Sequence, residues 1–560
     1  MNLDVFYTTV RDRSYIHDLP LSVKTIDDAL ENYPSHFVST EQFRRLVRNS
    51  GKDPSMACLS DTYRKYGIAW ASSPLDHFVA ESMKVYDREM YDGLKGYTKT
   101  PRLGRALHTL LKFAKPLKTS KNVRSDPLVH SAYLEALQDV RSLFKDMKFD
   151  TLPLADMFKQ LPVNTSAGFP YYRQKSDVLD DCRQATTENY FRLLNGKKIE
   201  QRPCLLALRG HVSELSRIKT RPIWINSFDN VALENILFRN VYDYVFNDPD
   251  FNNLIMTGPA TIKRLRDYLS APSRLSFCNL DYSAWDAWRC RFAARDLFKV
   301  FRSVLNLKEG EGSVFDYVEK QFLDSILVLP DGSAYRKRAG TPSGSLLTAL
   351  FNSLLNYLVL RTCFRFHGVT HCVELLRVLG DDAAFNIGVS DPRGFIEKMA
   401  AFVDHYFGLT LNPDKCLVTD HHAPVESRKF IGYSLRNDQL YRPVEEFFRY
   451  LLYVERPVED IRTSFSRVVS YLLLGGIYHH EFCAFVEAYL GHYQHLLSTQ
   501  SNLADLSVFK FGNLRVIKHV FQMELDSFFG EGISLESFRS WDFLSLPFRF
   551  TLGHNAPLRE

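Results

Sequence analysis

The chain has 560 residues, 45% hydrophobic and 24% charged, which is enough apolar material for a large core and, by length, for roughly two to four domains. Its 70 basic and 65 acidic side chains leave a net charge of only +5, so bulk charge does not hold nucleic acid and any positive surface must come from local placement. Nine scattered cysteines without a C-x2-C spacing, a start (MNLDVFYTTVRDRSY) without an apolar core, and no apolar run approaching about 18 residues argue against a zinc module, a secretory signal and a membrane span. The expectation is a soluble, intracellular protein of a reducing compartment.

Residues 1–120 carry no recognisable motif, and 65–86 has partly helical spacing. Segment 94–124 is basic: Lys95, Lys99, Arg102, Arg105, Lys112, Lys115, Lys118, Lys121 and Arg124 stand against no acid. It reads either as a solvated lysine-rich surface or as a surface that faces nucleic acid. Residues 128–148 have helical spacing. The following LPVNTSAGFPYY (161–172) is a loop, whose Thr165 and Ser166 hydroxyls and amides suit phosphate contacts as well as a plain connection.

In RGHVSELSRIKTRPIW (209–224), Arg217, Lys219 and Arg221 alternate, so on a strand they share one face. Three cations on one face repel unless an anion such as a triphosphate meets them; the plainer reading is a guarded strand edge. RLSFCNLDYSAWDAW (274–288) reads as a strand that presents Asp281 at its end, with Asp286 across a short turn. In AGTPSGSLLTALFNSLLNYLVL (339–360) a flexible loop around Ser343 and Gly344 leads into an apolar helix. Thr348, Asn352 and Asn356 lie at i, i+4 and i+8 on one stripe of it. Buried amides there need partners, either backbone or a ligand hydroxyl held between the helix and Asp286.

Cys372–Val389 (CVELLRVLGDDAAFNIGV) predicts strand, tight turn and strand, with Asp381 and Asp382 at the tip. Adjacent carboxylates repel unless a cation lies between them, and a divalent metal with oxygen ligands suits them. A helix over 395–407, Lys415 between a turn and a strand, and a strand over 429–436 (KFIGYSLR) follow. The remainder mixes helices and loops. The pairs His421-His422 and His479-His480 read as structural or exposed rather than as metal ligands.

In this order, the NTSAGFPY loop, KTRPIW, D-x4-D, GTPSGS with its Thr/Asn helix, GDD, the lone Lys415 and FIGY resemble the ordered motif set of viral RNA-dependent RNA polymerases, over about residues 161–436. PSGSLLT, NSLLNY, FIGY and LLYVERP (451–457) resemble most the polymerases of double-stranded RNA viruses of the partitivirus type. That group tends to have Pro where this chain has Val454. Picobirnaviruses come next, and NTSAGFPY and LFNSLLN also resemble picornavirus-like polymerases.

The resemblance implies an α/β (α+β) right-hand fold: fingers, a palm with an antiparallel sheet plus helices, and a thumb. It places 1–120 as a bridge between fingers and thumb, 121–270 and 291–340 in the fingers, 271–290 and 341–436 in the palm, and 437–560 in the thumb. It makes Asp281, Asp381 and Asp382 the ligands of two Mg2+ ions (Mn2+ fitting as well), and Lys415 the general acid for pyrophosphate. Arg217, Lys219 and Arg221 would meet the triphosphate. Asp286, Ser343, Gly344, Thr348 and Asn352 would hold the nucleotide, with Asp286 and Asn352 reading its 2′-hydroxyl. Thr165 and Ser166 would touch RNA. The implied partners are template and product RNA, nucleoside triphosphates and a viral capsid protein, without a membrane, in the host cytoplasm inside the virion. Two alternatives stand beside this: a reverse transcriptase, and a non-catalytic RNA-binding protein that keeps the fold.

Overall fold

The computed structural model describes residues 17–498, apart from 35, 52, 68–74, 145–146, 164, 249–250, 252–253, 257–260, 456 and 474. The expectation for the thumb beyond 498 therefore lies outside the described residues. In chain order, α1 (Thr40–Arg48) begins at a reciprocal cap, with Ser39 Oγ accepting from the Gln42 amide and Gln42 Oε1 accepting from the Ser39 amide. Strand β1 (Met56–Thr62), α2 (His77–Tyr86) and α3 (Leu103–Leu110) follow. Helix α4 (Pro127–Ser142) starts where Asp126 accepts from the Leu128 and Val129 amides and Pro127 occupies the first turn.

Next come β2 (Cys204–His211), β3 (Lys219–Ile225), α5 (Phe228–Asn247), β4 (Ser276–Leu280), α6 (Arg291–Val304), α7 (Glu311–Leu323), β5 (Ile326–Val328) and β6 (Ser333–Lys337). After them stand α8 (Thr348–Phe366), β7 (Val373–Leu379), β8 (Asp382–Ile387), α9 (Pro392–Phe407) and β9 (Leu417–Thr419). The last described elements are α10 (Val444–Leu452), α11 (Ile461–Leu473) and α12 (His480–Ser498).

Two sheets carry the architecture. One has five strands in the order β1-β6-β5-β2-β3, with β5 and β2 parallel and the other neighbours antiparallel. The other has four strands in the order β7-β8-β4-β9 and is antiparallel throughout. The predicted hairpin is β7 and β8. Its alternation suggests one buried face, yet both are covered. Ala383, Phe385 and Ile387 face the helical core, and Ala384 lies against Phe277 and Phe430 on the other side. A central strand buried on both sides holds its carboxylates more rigidly than a surface hairpin would.

Helix α8 is buried almost all round, as its apolar composition predicts. It packs along α4, where Arg361 and Arg365 pair with Asp139 at 2.7 and 2.6 Å. Segment 121–270, expected in the fingers, therefore shares its packing with the segment expected in the palm. The stripe Val129, Tyr133, Ala136, Leu137 and Val140 shares one core with α8, and α6 and α7 of 291–340 join the same core. The expected line between fingers and palm does not break the hydrophobic interior, because α4 needs α8 to cover its apolar stripe.

Residues before 120 divide between two cores. Phe43, Leu46, Met56, Leu107 and Phe113 pack with Trp224 and Tyr335 by the five-stranded sheet, whereas Val79, Met83 and Tyr91 pack with α10, α11 and α12. Glu455 adds a polar tie, lying 2.8 Å from Arg209 on β2 and 3.5 Å from Lys99. The expected strand over 429–436 is a turn followed by a short strand. Ile431 (φ 49) and Gly432 (φ 79) let Phe430 and Tyr433 exchange two backbone bonds, and only Ser434–Arg436 then pairs, with Gln439–Tyr441. Among the described residues no helix is long and apolar enough to cross a membrane.

Candidate active site

Strand β4 lies between β8 and β9, and its pairing with β8 runs Ser276↔Ile387 to Leu280↔Ala383. One further step of that register sets Asp281 opposite Asp382, with Asp381 next to it in the turn. Gly380 (φ 61) makes the turn possible. Helix α8 fixes it: Ser353 Oγ accepts from the Gly380 amide at 2.9 Å, and Asn356 Nδ2 donates to the carbonyls of Gly380 and Asp381 at 3.0 and 3.2 Å. Asp281 is fixed from the far side. Its Oδ1 accepts from Asn412 Nδ2 at 2.8 Å, and its carbonyl accepts from the Asn412 amide at 2.9 Å.

The electrostatics are those of carboxylates crowded at one edge, where Asp281 is exposed and Asp381 and Asp382 are half-buried. Burial, then the nearby Asp281, pushes Asp381 up, while Arg221 opposes the shift. Burial, then Asp381 and Asp281, pushes Asp382 up to about 7. Burial and Asp381 push Asp286 up to about 6 against a hydrogen bond from Asn352 and the charge of Arg221. Arg221 is the cation common to all three. Oxygen-only donors that repel one another at close range fit a hard divalent cation, whose charge would relieve the repulsion.

Of the three predicted basic residues, two share a strand. Lys219 and Arg221 lie on the exposed side of β3, with Thr220 and Trp224 buried on the other. Arg217 departs from the expectation. It sits in a 3-10 turn, Leu215–Arg217, before the strand begins, and its charge acts on Arg105. The chain breaks from the β2–β3 ladder there, because Ser213–Glu214 pair instead with Tyr97–Thr98.

Lys415 closes a 3-10 turn three residues beyond Asn412. Beside it is Lys112, whose Nζ donates to Ser283 Oγ at 3.0 Å, two residues past Asp281. Burial lowers the Lys112 pKa, and Arg105, Lys115 and Lys415, all cations, lower it further. The basic segment 94–124 thus turns part of its charge inward, with Lys99, Arg102, Arg105, Lys112 and Lys118 all lowered chiefly by burial. Lys112 was legible in sequence only as one member of that run.

The stripe on α8 resolves into two uses. Asn356 serves the backbone of the Gly380–Asp381 turn. Asn352 Nδ2 donates to Asp286 Oδ1 at 2.9 Å. The other predicted loop residues are engaged by β3 and by the loop itself. Ser343 Oγ accepts from the Trp224 amide at 3.2 Å, and Thr348 Oγ1 donates to the Ser345 carbonyl at 2.9 Å. Gly344 passes so close to the Trp224 carbonyl that a Cβ there would overlap it.

Two buried ionisable side chains hold the ends of this loop, and neither is among the residues singled out from the sequence. Glu234 on α5, 2% exposed, accepts from Ser345 Oγ at 2.9 Å and from the Leu346 amide at 2.8 Å, and burial pushes its carboxyl up to about 7. Lys337 Nζ donates to the Gly340 carbonyl at 2.8 Å and to the Phe322 carbonyl at the end of α7. A lone acid inside the apolar run NVALENILF was the available signal for Glu234.

Thr165 is exposed, and Ser166 Oγ accepts from the Gly168 amide at 3.1 Å. Their loop packs against the start of α5, where the Phe228 amide donates to the Ala167 carbonyl. Ser166 also lines a cavity of about 420 Å³ with Arg64, Lys65, Tyr66, Tyr172 and Ile225. Elsewhere, Asp420, His421 and His422 are exposed, with ligand atoms within 4.8 Å of one another.

The family model described as viral RNA-dependent RNA polymerase matches residues 62–490. Among curated proteins, the genome polyprotein of poliovirus type 2 (strain W-2) is 25% identical over 324 residues, 56% of this chain and 14% of the polyprotein. The non-structural polyprotein 1AB of mink astrovirus 1 is 24% identical over 178 residues, 30% of this chain and 13% of that protein. The chain thus spans about one-seventh of the length of these polyproteins. The RNA-dependent RNA polymerase of a human picobirnavirus shares the fold with a TM-score of 0.51 at 14% identity, covering 87% of this chain and 91% of the other.

Proposed function

This chain belongs to the viral RNA-dependent RNA polymerases, and on that premise we propose that it copies RNA with two bound Mg2+ ions to replicate and transcribe the genome of a double-stranded RNA virus. The observation that carries the reading is the β4–β8 register, which gathers Asp281, Asp381 and Asp382 with Arg221 as their shared countercharge. When bound, the cations would lower the pKa of the RNA 3′-hydroxyl and carry charge on the leaving pyrophosphate. The three aspartates would hold them, and Mn2+ suits the same oxygen donors.

The protein's own groups supply the remainder. Arg221, with Lys219 on the same strand face, neutralises the incoming triphosphate. Lys415 gives its proton to the pyrophosphate oxygen as the bond to the α-phosphate breaks. Asp286 and Asn352 read the ribose 2′-hydroxyl, and a site built to bond a hydroxyl rejects the analogue that lacks it. Thr165 and Ser166 position template RNA by its backbone. The double-stranded RNA assignment rests on PSGSLLT, NSLLNY and LLYVERP, and the fold shared with a picobirnavirus polymerase is consistent with it. The same reading puts the enzyme in the host cytoplasm inside the virion with capsid protein as partner, which co-purification with assembled particles tests.

The deciding experiment is labelled-nucleotide incorporation on a single-stranded RNA template, with wild type and Asp381→Asn, NTPs and dNTPs, and Mg2+ or Mn2+. Templated product from NTPs alone, lost in the variant, is expected. Product from dNTPs would point to reverse transcription. A folded wild-type protein inactive with both metals would favour an RNA-binding protein, or a polymerase that needs its capsid.

A further inference from the structure

Behind the pair Asp286 and Asn352 runs a chain of hydrogen bonds that neither member explains. Trp288 Nε1 donates to Thr341 Oγ1 at 2.8 Å, Thr341 Oγ1 donates to Asn352 Oδ1 at 2.7 Å, and Asn352 Nδ2 donates to Asp286 Oδ1 at 2.9 Å. Trp288, Thr341 and Asn352 are 1%, 0% and 5% exposed. The Thr341 amide also donates to the Asp286 carbonyl at 2.8 Å. We infer that Thr341 is a positioning residue for ribose selection: its hydroxyl locks the Asn352 amide in the orientation that reads the 2′-hydroxyl.

The direction of the chain follows from the chemistry of its members. An indole N–H only donates, so the Thr341 oxygen must accept from Trp288. The single hydroxyl proton is then left for Asn352, and only the oxygen end of an amide can take it. The NH2 end must therefore face Asp286. A flipped amide would set oxygen against carboxylate and would leave the Thr341 proton facing a donor. Because a 2′-hydroxyl both donates and accepts, the pair must offer an N–H as well as a carboxylate oxygen. Ser343 and Thr348 do not bond the Asn352 amide, since the Ser343 hydroxyl accepts from the Trp224 amide of β3 and the Thr348 hydroxyl donates to the Ser345 carbonyl. Thr341 reaches both members of the pair, one by its side chain and one by its main chain.

The inference rests on the ribose-reading role proposed above for Asp286 and Asn352, and the test separates the two. Single-nucleotide incorporation efficiency is measured for an NTP and its 2′-deoxy analogue with wild type, Thr341→Val, Thr341→Ser and Asn352→Ala. Thr341→Val should cut the preference for the NTP by about tenfold, the worth of one hydrogen bond, through the NTP efficiency alone. Thr341→Ser, which keeps the hydroxyl, should hold the preference. Should Thr341→Val not fold, Trp288→Phe frees the Thr341 hydroxyl to rotate and should lower the same ratio by a smaller factor. Equal losses for both nucleotides in Thr341→Val and in Trp288→Phe, or no loss in either, overturn the inference. If Asn352→Ala keeps the wild-type preference, the ribose-reading role itself fails.

Discussion

Glu234 gives the sharpest test of how the loop over the candidate site is held. Its carboxyl is pushed by burial from 4.5 to about 7, and both its oxygens accept from the loop, at Ser345 and Leu346. The native protein therefore keeps this proton up to about neutrality, while the unfolded chain loses it near the ordinary value. Between those limits the native state binds more protons than the unfolded one, so stability falls as pH rises. Raising the carboxyl from 4.5 to about 7 corresponds to about 3 kcal/mol. Glu234→Gln is neutral at every pH, and its amide can still accept from Leu346 while its NH2 donates to the Ser345 hydroxyl. Urea denaturation of both proteins from about pH 4.5 to about pH 8 should show the variant gaining about 3 kcal/mol on the wild type across the range. Asp286 and Asp382 titrate in both proteins, so their contributions cancel in the difference. A difference that stays constant with pH would refute the reasoning. Glu234→Ala, by contrast, leaves two buried donors without an acceptor and should cost about 1–3 kcal/mol for each, with a loosened loop and slower incorporation.

Asn356→Leu removes both bonds to the Gly380 and Asp381 carbonyls and should lower kcat by about ten- to a hundredfold with little change in nucleotide KM, because it moves Asp381, the proposed metal ligand, rather than the nucleotide. Gly344→Ala drives a Cβ into the Trp224 carbonyl, so backbone must shift; incorporation should fall at least about tenfold while circular dichroism stays native. Arg221→Ala should raise nucleotide KM far more than Lys219→Ala does, since only Arg221 acts on Asp286, Asp381 and Asp382; equal effects in steady-state kinetics would contradict that placement. Glu455→Ala removes a partly exposed tie between β2 and the segment after α10 and should cost at most about 1 kcal/mol, less in high salt, by thermal unfolding.

The elements that the sequence shows best are those whose reason for existing is local. The Asp381–Asp382 hairpin, the helix after GTPSGS, the helix after Asp391 and the strand ending before Asp281 each follow from a period, a cap or a turn residue within a few positions. The same locality explains the misreadings. Alternating charge made Arg217 look like part of a strand, but a distant pairing of Ser213–Glu214 with Tyr97–Thr98 ends the ladder before it. FIGY looked extended from its composition, and Ile431 and Gly432 with positive φ make it a turn.

What this sequence determined by itself is its inventory: three carboxylates, a basic strand, a Thr/Asn stripe and a lysine, in an order that identifies the family. Only the tertiary structure decided how they are used. Asn352 and Asn356 are the same residue type one helical turn apart, yet one meets Asp286 and the other the Asp381 backbone. Glu234 lies 111 residues from the Ser345 it holds and Lys112 lies 171 residues from Ser283, and neither partner can be read from the residues around them. A buried polar atom must find a partner wherever folding brings one within hydrogen-bonding distance, and that partner is set by packing rather than by position along the chain.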